Sequence, residues 1–156
     1  MKTARVFIAL GANLGDARAT VVQAIQSLSQ LPGTTVLKHS SLYRSAPVDA
    51  SGPDFINAVA EITTTLSPQS LLTALQALEL GAGRLRLYRN APRTLDLDIL
   101  LYDELALDSP ELVIPHPRML SRAFVLLPLA EIAPEQVTSA HLQAVAQQAI
   151  ERLSGH

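Results

Sequence analysis

Two aspartates separated by one leucine, Asp96 and Asp98, have the residue type and spacing best suited to chemistry in this chain. They lie within the apolar run 94–102, which predicts a β-strand. Successive side chains of a strand point to opposite faces, so both carboxylates project from one face, with their Cα atoms about 6–7 Å apart. The other face of this strand is then buried and carries Leu95, Leu97 and Ile99.

Two carboxylates this close repel each other unless a cation lies between them. Magnesium combines a few carboxylate oxygens with substrate phosphates, and two metal ions about 3.5–4 Å apart would fit between these side chains. The alternative is an edge strand in which aspartates only keep the outer face soluble. Because aspartate is among the poorest strand formers, we favour the metal site.

Arginine accounts for ten of the 12 basic residues, and four arginines fall just before this strand. Arginine suits planar, bidentate contact with phosphate oxygens, although such a cluster also occurs in solvated loops. Metal-binding carboxylates beside phosphate-binding cations favour phosphoryl transfer. A Walker-type site is not expected, because the glycine-containing segment 11–15 lacks the GK[ST] ending. The clustered residues are Arg84, Arg86, Arg89 and Arg93.

The composition is that of one globular domain, residues 1–156, with 48% hydrophobic and 17% charged residues. The absence of cysteine excludes disulfides, thiolate metal sites and a cysteine nucleophile. A net charge of −2 gives no basic field for nucleic acid or an anionic membrane. No N-terminal segment is apolar for long enough to act as a signal or a span, so a cytoplasmic location is expected.

The order of predicted elements is β-α-β-β-α-β, followed by a C-terminal helical extension. Strands are expected at 5–10, 34–44, 55–64 and 94–102, and helices after the capping residues Asp16 and Ser67 and over 138–153. In strand 55–64, Phe55 and Asn57 share one face. The order predicts an α+β fold, a ferredoxin-like antiparallel sheet covered by helices.

The segment 91–100, APRTLDLDIL, resembles the signature of 6-hydroxymethyl-7,8-dihydropterin pyrophosphokinase, a family of the folate pathway. The resemblance extends over nearly the whole chain in several ordered segments. These are 9–15 (ALGANLG), 43–47 (YRSAP), 55–58 (FINA), Glu79 with 83–84 (GR), 114–116 (IPH) and 122–124 (RAF).

The resemblance implies that Asp96 and Asp98 bind two Mg²⁺ ions that bridge the phosphates of ATP. It assigns Arg84 and Arg93 to phosphate binding and charge stabilisation during transfer. The pterin ring would stack between two phenylalanines and receive a hydrogen bond from Asn57. The remaining implied ATP contacts are Gln76, Glu79, Arg86, His116 and Arg122, and the remaining implied pterin contacts are Ser45, Val48, Phe55 and Phe124.

Each implied role has an ordinary structural alternative. Phe55 and Phe124 suit a core, Asn57 a surface position, His116 a turn between two prolines, and Glu79 a solvated helix end. The chain also departs from the family pattern at three positions that bear on adenine packing, loop closure and one ATP contact. These positions are Asn90, Glu111 and Pro117.

The expected reaction is transfer of pyrophosphate from ATP to the pterin hydroxymethyl group, with release of AMP. Its expected partners are these small-molecule substrates, and no protein partner is indicated. One alternative is a non-catalytic nucleotide- or metal-binding module on the same fold. Another is a magnesium-dependent kinase acting on a different heterocycle.

Overall fold

The computed structural model of the chain describes residues 2–13, 16–46, 54–82 and 95–153. It confirms the α+β class, because an antiparallel sheet is covered by helices. The strands are β1 (Ala4–Ala12), β2 (Thr34–His39), β3 (Tyr43–Ser45), β4 (Phe55–Thr64), β5 (Asp96–Tyr102), β6 (Leu107–Asp108), β7 (Val113–Ile114) and β8 (Ile150–Arg152). The α-helices are α1 (Ala17–Leu28), α2 (Pro68–Gly81), α3 (Ala123–Ile132) and α4 (Ser139–Ala144), and 3₁₀ turns cover Met119–Ser121 and Pro134–Gln136.

The main sheet has the strand order β5-β1-β4-β3-β8, and β2 pairs with the other half of β4. All of its pairs are antiparallel. The central strands are rich in β-branched and small apolar residues, which suits strands buried on both faces. The pairing places Gly11 of β1 between Asp96 of β5 and Asn57 of β4.

One face of the sheet packs against α1 and α2, and the capping residues expected from the sequence begin both helices. The Asp16 side chain accepts a hydrogen bond from the Ala19 N–H (3.1 Å), and Ser67 accepts one from the Ser70 N–H (3.2 Å). The predicted alternation is confirmed for the first part of β5, since Leu95, Leu97 and Ile99 face this layer. The core here includes Ile8, Leu10, Leu28, Ile62, Leu71, Leu75, Leu95, Leu97 and Ile99.

The opposite face of the sheet packs against α3. Phe7, Val59 and Leu100 of the sheet form a second apolar cluster with residues of α3 and its flanking turns. Those residues are Met119, Val125, Leu129, Ile132 and Ala133. The sheet is therefore covered on both faces by helices. Within the described ranges, none of these helices combines the length and apolar character needed to span a bilayer.

The predicted helix over 138–153 is wrong beyond residue 144, because α4 ends at Ala144 and β8 follows at Ile150–Arg152. β8 pairs with β3, and the Leu153 N–H donates to the Leu42 carbonyl oxygen (2.8 Å). The apolar spacing fits one helix, but the exposed edge of β3 offers backbone partners that periodicity cannot reveal. Two strand bounds also differ: β1 continues to Ala12, and the predicted strand 34–44 is divided into β2 and β3.

Glu131 on α3 joins the second helical layer to β3 and β8. Its carboxylate accepts hydrogen bonds from the Tyr43 hydroxyl (2.7 Å) and from the N–H and hydroxyl of Ser41 (3.0 Å each). The Arg152 guanidinium forms an ion pair with the same carboxylate, with 3.4 Å between Nη2 and Oε2. Burial alone would raise the pKa of Glu131, but these donors and the arginine charge outweigh it and lower the pKa below its ordinary value of 4.5. Burial, with the bond to Glu131, also raises the pKa of Tyr43.

Replacing Glu131 by Gln should therefore reduce stability mainly above pH 5. A carboxylate with a lowered folded-state pKa stabilises the fold above its unfolded value, and that contribution disappears as the pH falls through the folded-state pKa. We expect Glu131→Gln to lower the free energy of unfolding at pH 7 by about 1 kcal/mol, since solvent still reaches the group. Urea titrations between pH 3 and 8 measure this difference.

Glu104→Gln is the matched control for this measurement. Glu104 is exposed and makes no hydrogen bond or ion pair with the residues that the structure describes. Its replacement should leave the pH dependence of stability parallel to that of the wild type. If Glu131→Gln also gives a curve parallel to that of the wild type, the charge of the Glu131 carboxylate does not stabilise the fold.

Candidate active site

A cavity of about 370 Å³ opens on the α3 face of the sheet, where β1, β4 and β5 run side by side. It brings together eight of the residues expected to form the site, from five separate segments of the chain. These are Ser45, Phe55, Asn57, Asp96, Asp98, His116, Arg122 and Phe124. Ala9, Leu10, Gly11, Asn13, Ala46, Leu100 and Val125 complete its lining.

The two aspartates lie on adjacent same-face positions of β5, as the period-2 spacing predicts. Asp96 is opposite Gly11 and Asp98 is opposite Ala9, so small residues on β1 leave space in front of both carboxylates. Asp96 is half-buried and Asp98 is exposed. In the described part of the chain, no cluster of three or more His, Asp or Glu residues is arranged to hold a metal ion. A cation between two carboxylates alone would need further oxygen ligands, and the phosphate oxygens of a ligand would suit that role.

His116 reaches the cavity because of an irregularity in β5. The register between β1 and β5 shifts at Phe7 and Ile8, which leaves Leu100 without a partner residue on β1. The Leu100 carbonyl oxygen instead accepts a hydrogen bond from the His116 N–H (3.0 Å). Such bulges often lie beside active sites because they redirect a neighbouring segment. Here the bulge fixes the segment that follows the cis Ile114–Pro115 peptide bond against β5.

The His116 ring presents a neutral donor to the cavity. Its Nδ1 accepts a hydrogen bond from the Arg118 N–H (3.1 Å), so in the neutral ring the proton is on Nε2. Burial lowers the pKa of His116, the Asp98 charge opposes that effect, and Arg122 and Arg118 add to it. The lowered pKa favours the neutral ring, whose Nε2–H group is suited to a phosphate or carboxylate oxygen.

Arg122 and Phe124 enter the cavity together from the start of α3. Arg122 is the N-cap residue of the helix, and its guanidinium carbon lies 5.3 Å from the centre of the Phe124 ring. This is a cation–π geometry, which restrains both side chains. A fixed guanidinium suits a phosphate, and the ring beside it offers an apolar surface to a planar ligand.

The part of the cavity beside β3 and β4 combines an aromatic wall with a buried amide. The Ser45 hydroxyl donates to Asn57 Oδ1 (2.7 Å), and both side chains are buried. This bond orients the amide so that Nδ2 can donate to a ligand. Phe55 pairs with Ser45 across β3 and β4 and lines the same cavity. An apolar wall with one directed amide is the environment that a flat heteroaromatic ring requires.

Gly11 is a site residue that sequence reasoning missed, because it was expected to end the first strand. A Cβ atom at position 11 would lie 3.1 Å from Asn57 Nδ2. Glycine therefore keeps the sheet open between the amide and the aspartates. A glycine inside an apolar strand often marks such a close approach, and that signal was present in the sequence.

Two of the expected ATP contacts, Gln76 and Glu79, do not line the cavity. Gln76 is exposed on α2. Glu79 is buried on the α2 side of the sheet, where its Oε2 accepts a hydrogen bond from the Leu97 N–H (2.9 Å). Because Leu97 separates the two aspartates along the chain, this hydrogen bond fixes the backbone of β5 between them. Four other expected residues, Val48, Arg84, Arg86 and Arg93, lie outside the described residues.

Known proteins share both the sequence and the architecture of this chain. Residues 7–134 match the family model for 7,8-dihydro-6-hydroxymethylpterin-pyrophosphokinase (HPPK). The chain is 50% identical over 132 residues to the 2-amino-4-hydroxy-6-hydroxymethyldihydropteridine pyrophosphokinase of Pseudomonas aeruginosa, covering 84% of this chain and 82% of the relative. The enzyme of the same name from Haemophilus influenzae is 46% identical, with the same coverage.

Among solved structures, wild-type HPPK-DHPS from Plasmodium falciparum aligns with a TM-score of 0.69 and 14% identity. The alignment covers 94% of this chain and 41% of that one, so the chain spans less than half of this larger protein. At such low identity the structural match supports the fold alone. The family-model match and the bacterial relatives lead to the conclusion that this chain belongs to the 7,8-dihydro-6-hydroxymethylpterin-pyrophosphokinase family.

Proposed function

We propose that this protein transfers pyrophosphate from ATP to 6-hydroxymethyl-7,8-dihydropterin, giving AMP and the pterin diphosphate in folate biosynthesis. Family membership and the names of the bacterial relatives support this reaction. The observation that carries it is one cavity with carboxylates at one end and an aromatic, amide-bearing pocket at the other. Asp96 and Asn57 flank Gly11 on neighbouring strands, so their Cα atoms are about 10 Å apart, which leaves room for a ring beside a phosphate chain.

The transfer is a displacement at the β-phosphorus of ATP. The pterin hydroxymethyl oxygen forms a bond to this phosphorus, the bond from the phosphorus to the bridging oxygen of the α-phosphate breaks, and AMP leaves. The hydroxyl proton passes to an acceptor that we leave unassigned. Because the protein forms no covalent bond here, its contribution is to position the two substrates and to stabilise charge.

We propose that Asp96 and Asp98 hold two Mg²⁺ ions, which when bound neutralise the triphosphate and orient it. Their outward, same-face position on β5 and the space over β1 suit this donor set. His116 would donate from Nε2 to a phosphate oxygen, and Arg122 would bind phosphate beside it. We retain Arg84 and Arg93 as the arginines that stabilise charge during transfer, and Gln76 and Arg86 as ATP contacts. For Glu79 we propose an indirect role through the Leu97 backbone.

The pterin ring would occupy the other end, between Phe55 and Phe124, with Asn57 donating to its edge and Ser45 and Val48 beside it. Two further expectations remain proposals. The strand order around β1 and β4, with α1 and α2 on one face, supports a ferredoxin-like unit. The protein would act in the cytoplasm on small molecules, without nucleic acid or membrane.

The direct test is to measure AMP produced from ATP, Mg²⁺ and 6-hydroxymethyl-7,8-dihydropterin, with controls that omit the metal or the pterin. We expect AMP only in the complete mixture. ADP in place of AMP would indicate an ordinary kinase on the same fold. A folded protein that forms neither product would favour a non-catalytic binding module.

Replacing either aspartate by asparagine should abolish turnover while the protein stays folded. The amide keeps the size of the side chain but removes the charge that holds a divalent cation. We expect Asp96→Asn and Asp98→Asn to lower kcat at least about 100-fold. Asp108→Asn, at an exposed position of β6, is the matched control and should keep full activity. Retention of more than a tenth of the activity in both site variants would overturn the metal assignment.

Phe124→Leu should weaken pterin binding because it removes an aromatic face and keeps an apolar side chain. Ring stacking of this kind corresponds to a loss of about three- to tenfold in pterin affinity. Affinity for a non-hydrolysable ATP analogue should change less than about twofold. This small change would come from the lost contact between the Phe124 ring and Arg122. Calorimetric titration with each ligand measures the two affinities.

Equal losses of affinity for the two ligands would indicate that Phe124 acts through packing. Leu120→Ala is the control, because Leu120 is an exposed residue of the same segment.

A further inference from the structure

Gln148 contacts both residues that flank Arg122. It lies in the segment between α4 and β8, 14 residues beyond the part of the chain that matches the family model. Its Oε1 accepts a hydrogen bond from the Ala123 N–H (2.9 Å), and its Nε2 donates one to the Ser121 carbonyl oxygen (2.8 Å). One side-chain amide is therefore hydrogen-bonded on both sides of Arg122, the residue that enters the cavity. We call this pair of hydrogen bonds the bracket.

The bond to Ala123 supplies a cap that α3 otherwise lacks. The first N–H groups of a helix have no partner within the helix, and a side chain of the N-cap residue usually accepts from one of them. The N-cap of α3 is Arg122, whose side chain has no acceptor and makes no capping bond. Gln148 provides the missing acceptor from 25 residues away, while its amide NH₂ group donates to the turn that precedes the helix.

The segment that carries Gln148 is itself fixed on both sides. Before it, Val145 is buried against Ala123 and Leu126 of α3. After it, Ile150 pairs with Ser45 in the register between β8 and β3. Gln148 is itself exposed, but the segment that carries it is anchored by a packed residue on one side and a paired strand on the other. Its two hydrogen bonds therefore join the start of α3 to an anchored segment.

We propose that Gln148 is a positioning residue for the active site, through which the C-terminal segment sets the direction of Arg122 and Phe124. Both side chains leave the chain within two residues of the bracketed turn and meet over the cavity. A rotation of this turn would displace the guanidinium and the ring together. The roles of Arg122 and Phe124 in this proposal rest on the proposed function. The bracket itself rests only on the two hydrogen bonds of Gln148.

The test compares Gln148→Ala with Gln147→Ala, a neighbouring exposed glutamine without a side-chain hydrogen bond to the described residues. For each variant, KM for ATP, KM for the pterin and kcat are measured with Mg²⁺ present, and the exchange rate of the Ala123 amide proton is followed by NMR. We expect Gln148→Ala to raise both KM values about three- to tenfold, to change kcat less than twofold and to accelerate Ala123 exchange. Gln147→Ala should resemble the wild type in all four measurements.

Gln148→Glu separates the two bonds and serves if the alanine variant does not fold. The carboxylate still accepts from the Ala123 N–H at the helix N-terminus but cannot donate to Ser121, so Ala123 should stay protected while both KM values rise less than in Gln148→Ala. Unchanged KM values in Gln148→Ala, or a fall in kcat alone, would overturn the positioning role. A wild-type protein that makes no AMP would instead overturn the proposed function, and Ala123 exchange would still test the bracket.

Discussion

The hydrogen-bonded register of β1 with its two neighbours is the constraint on which the site depends. Because paired strands lie about 4.8 Å apart, this register fixes Asp96, Gly11 and Asn57 in one row across the sheet. A slip of one residue between β1 and β5 would turn both aspartates toward the apolar layer under α1 and α2, where two charges have no compensation. The burial of Leu95, Leu97 and Ile99 on that side specifies the register and with it the site.

The position of α3, the helix of the second layer, also determines the geometry of the site. Val125 and Leu129 of α3 pack against one face of the sheet, and residues at the N-terminal end of the helix line the cavity. Three contacts hold this helix in place: Glu131 joins it to β3, Gln148 caps its first turn, and Val145 packs beneath it. Residues that never enter the cavity therefore determine where Arg122 and Phe124 stand.

Local patterns predicted most of the elements that carry the site. The alternation in β5 and β4 placed the aspartates, Phe55 and Asn57 on the correct faces, and the caps at Asp16 and Ser67 located two helices. The failures share a cause, since each depends on contacts between distant segments. Strand β8 exists because β3 offers an edge, and the bulge at Leu100 forms with β1. The hydrogen bond between Glu79 and the Leu97 N–H also joins distant segments, and the ATP contact of Glu79 stays a prediction. Periodicity along a single segment contains none of this information.

The two faces of the sheet have different roles, and successive side chains along a strand point to one face and then the other. On β4, Ile56, Ala58 and Ala60 belong to the layer under α1 and α2, whereas Phe55 and Asn57 line the cavity. Neighbouring positions are therefore exposed to different selection, one for the amount of folded protein in the cell and the next for its chemistry. The recognition surface can change during evolution one residue at a time without disturbing the apolar layer that lies directly behind it.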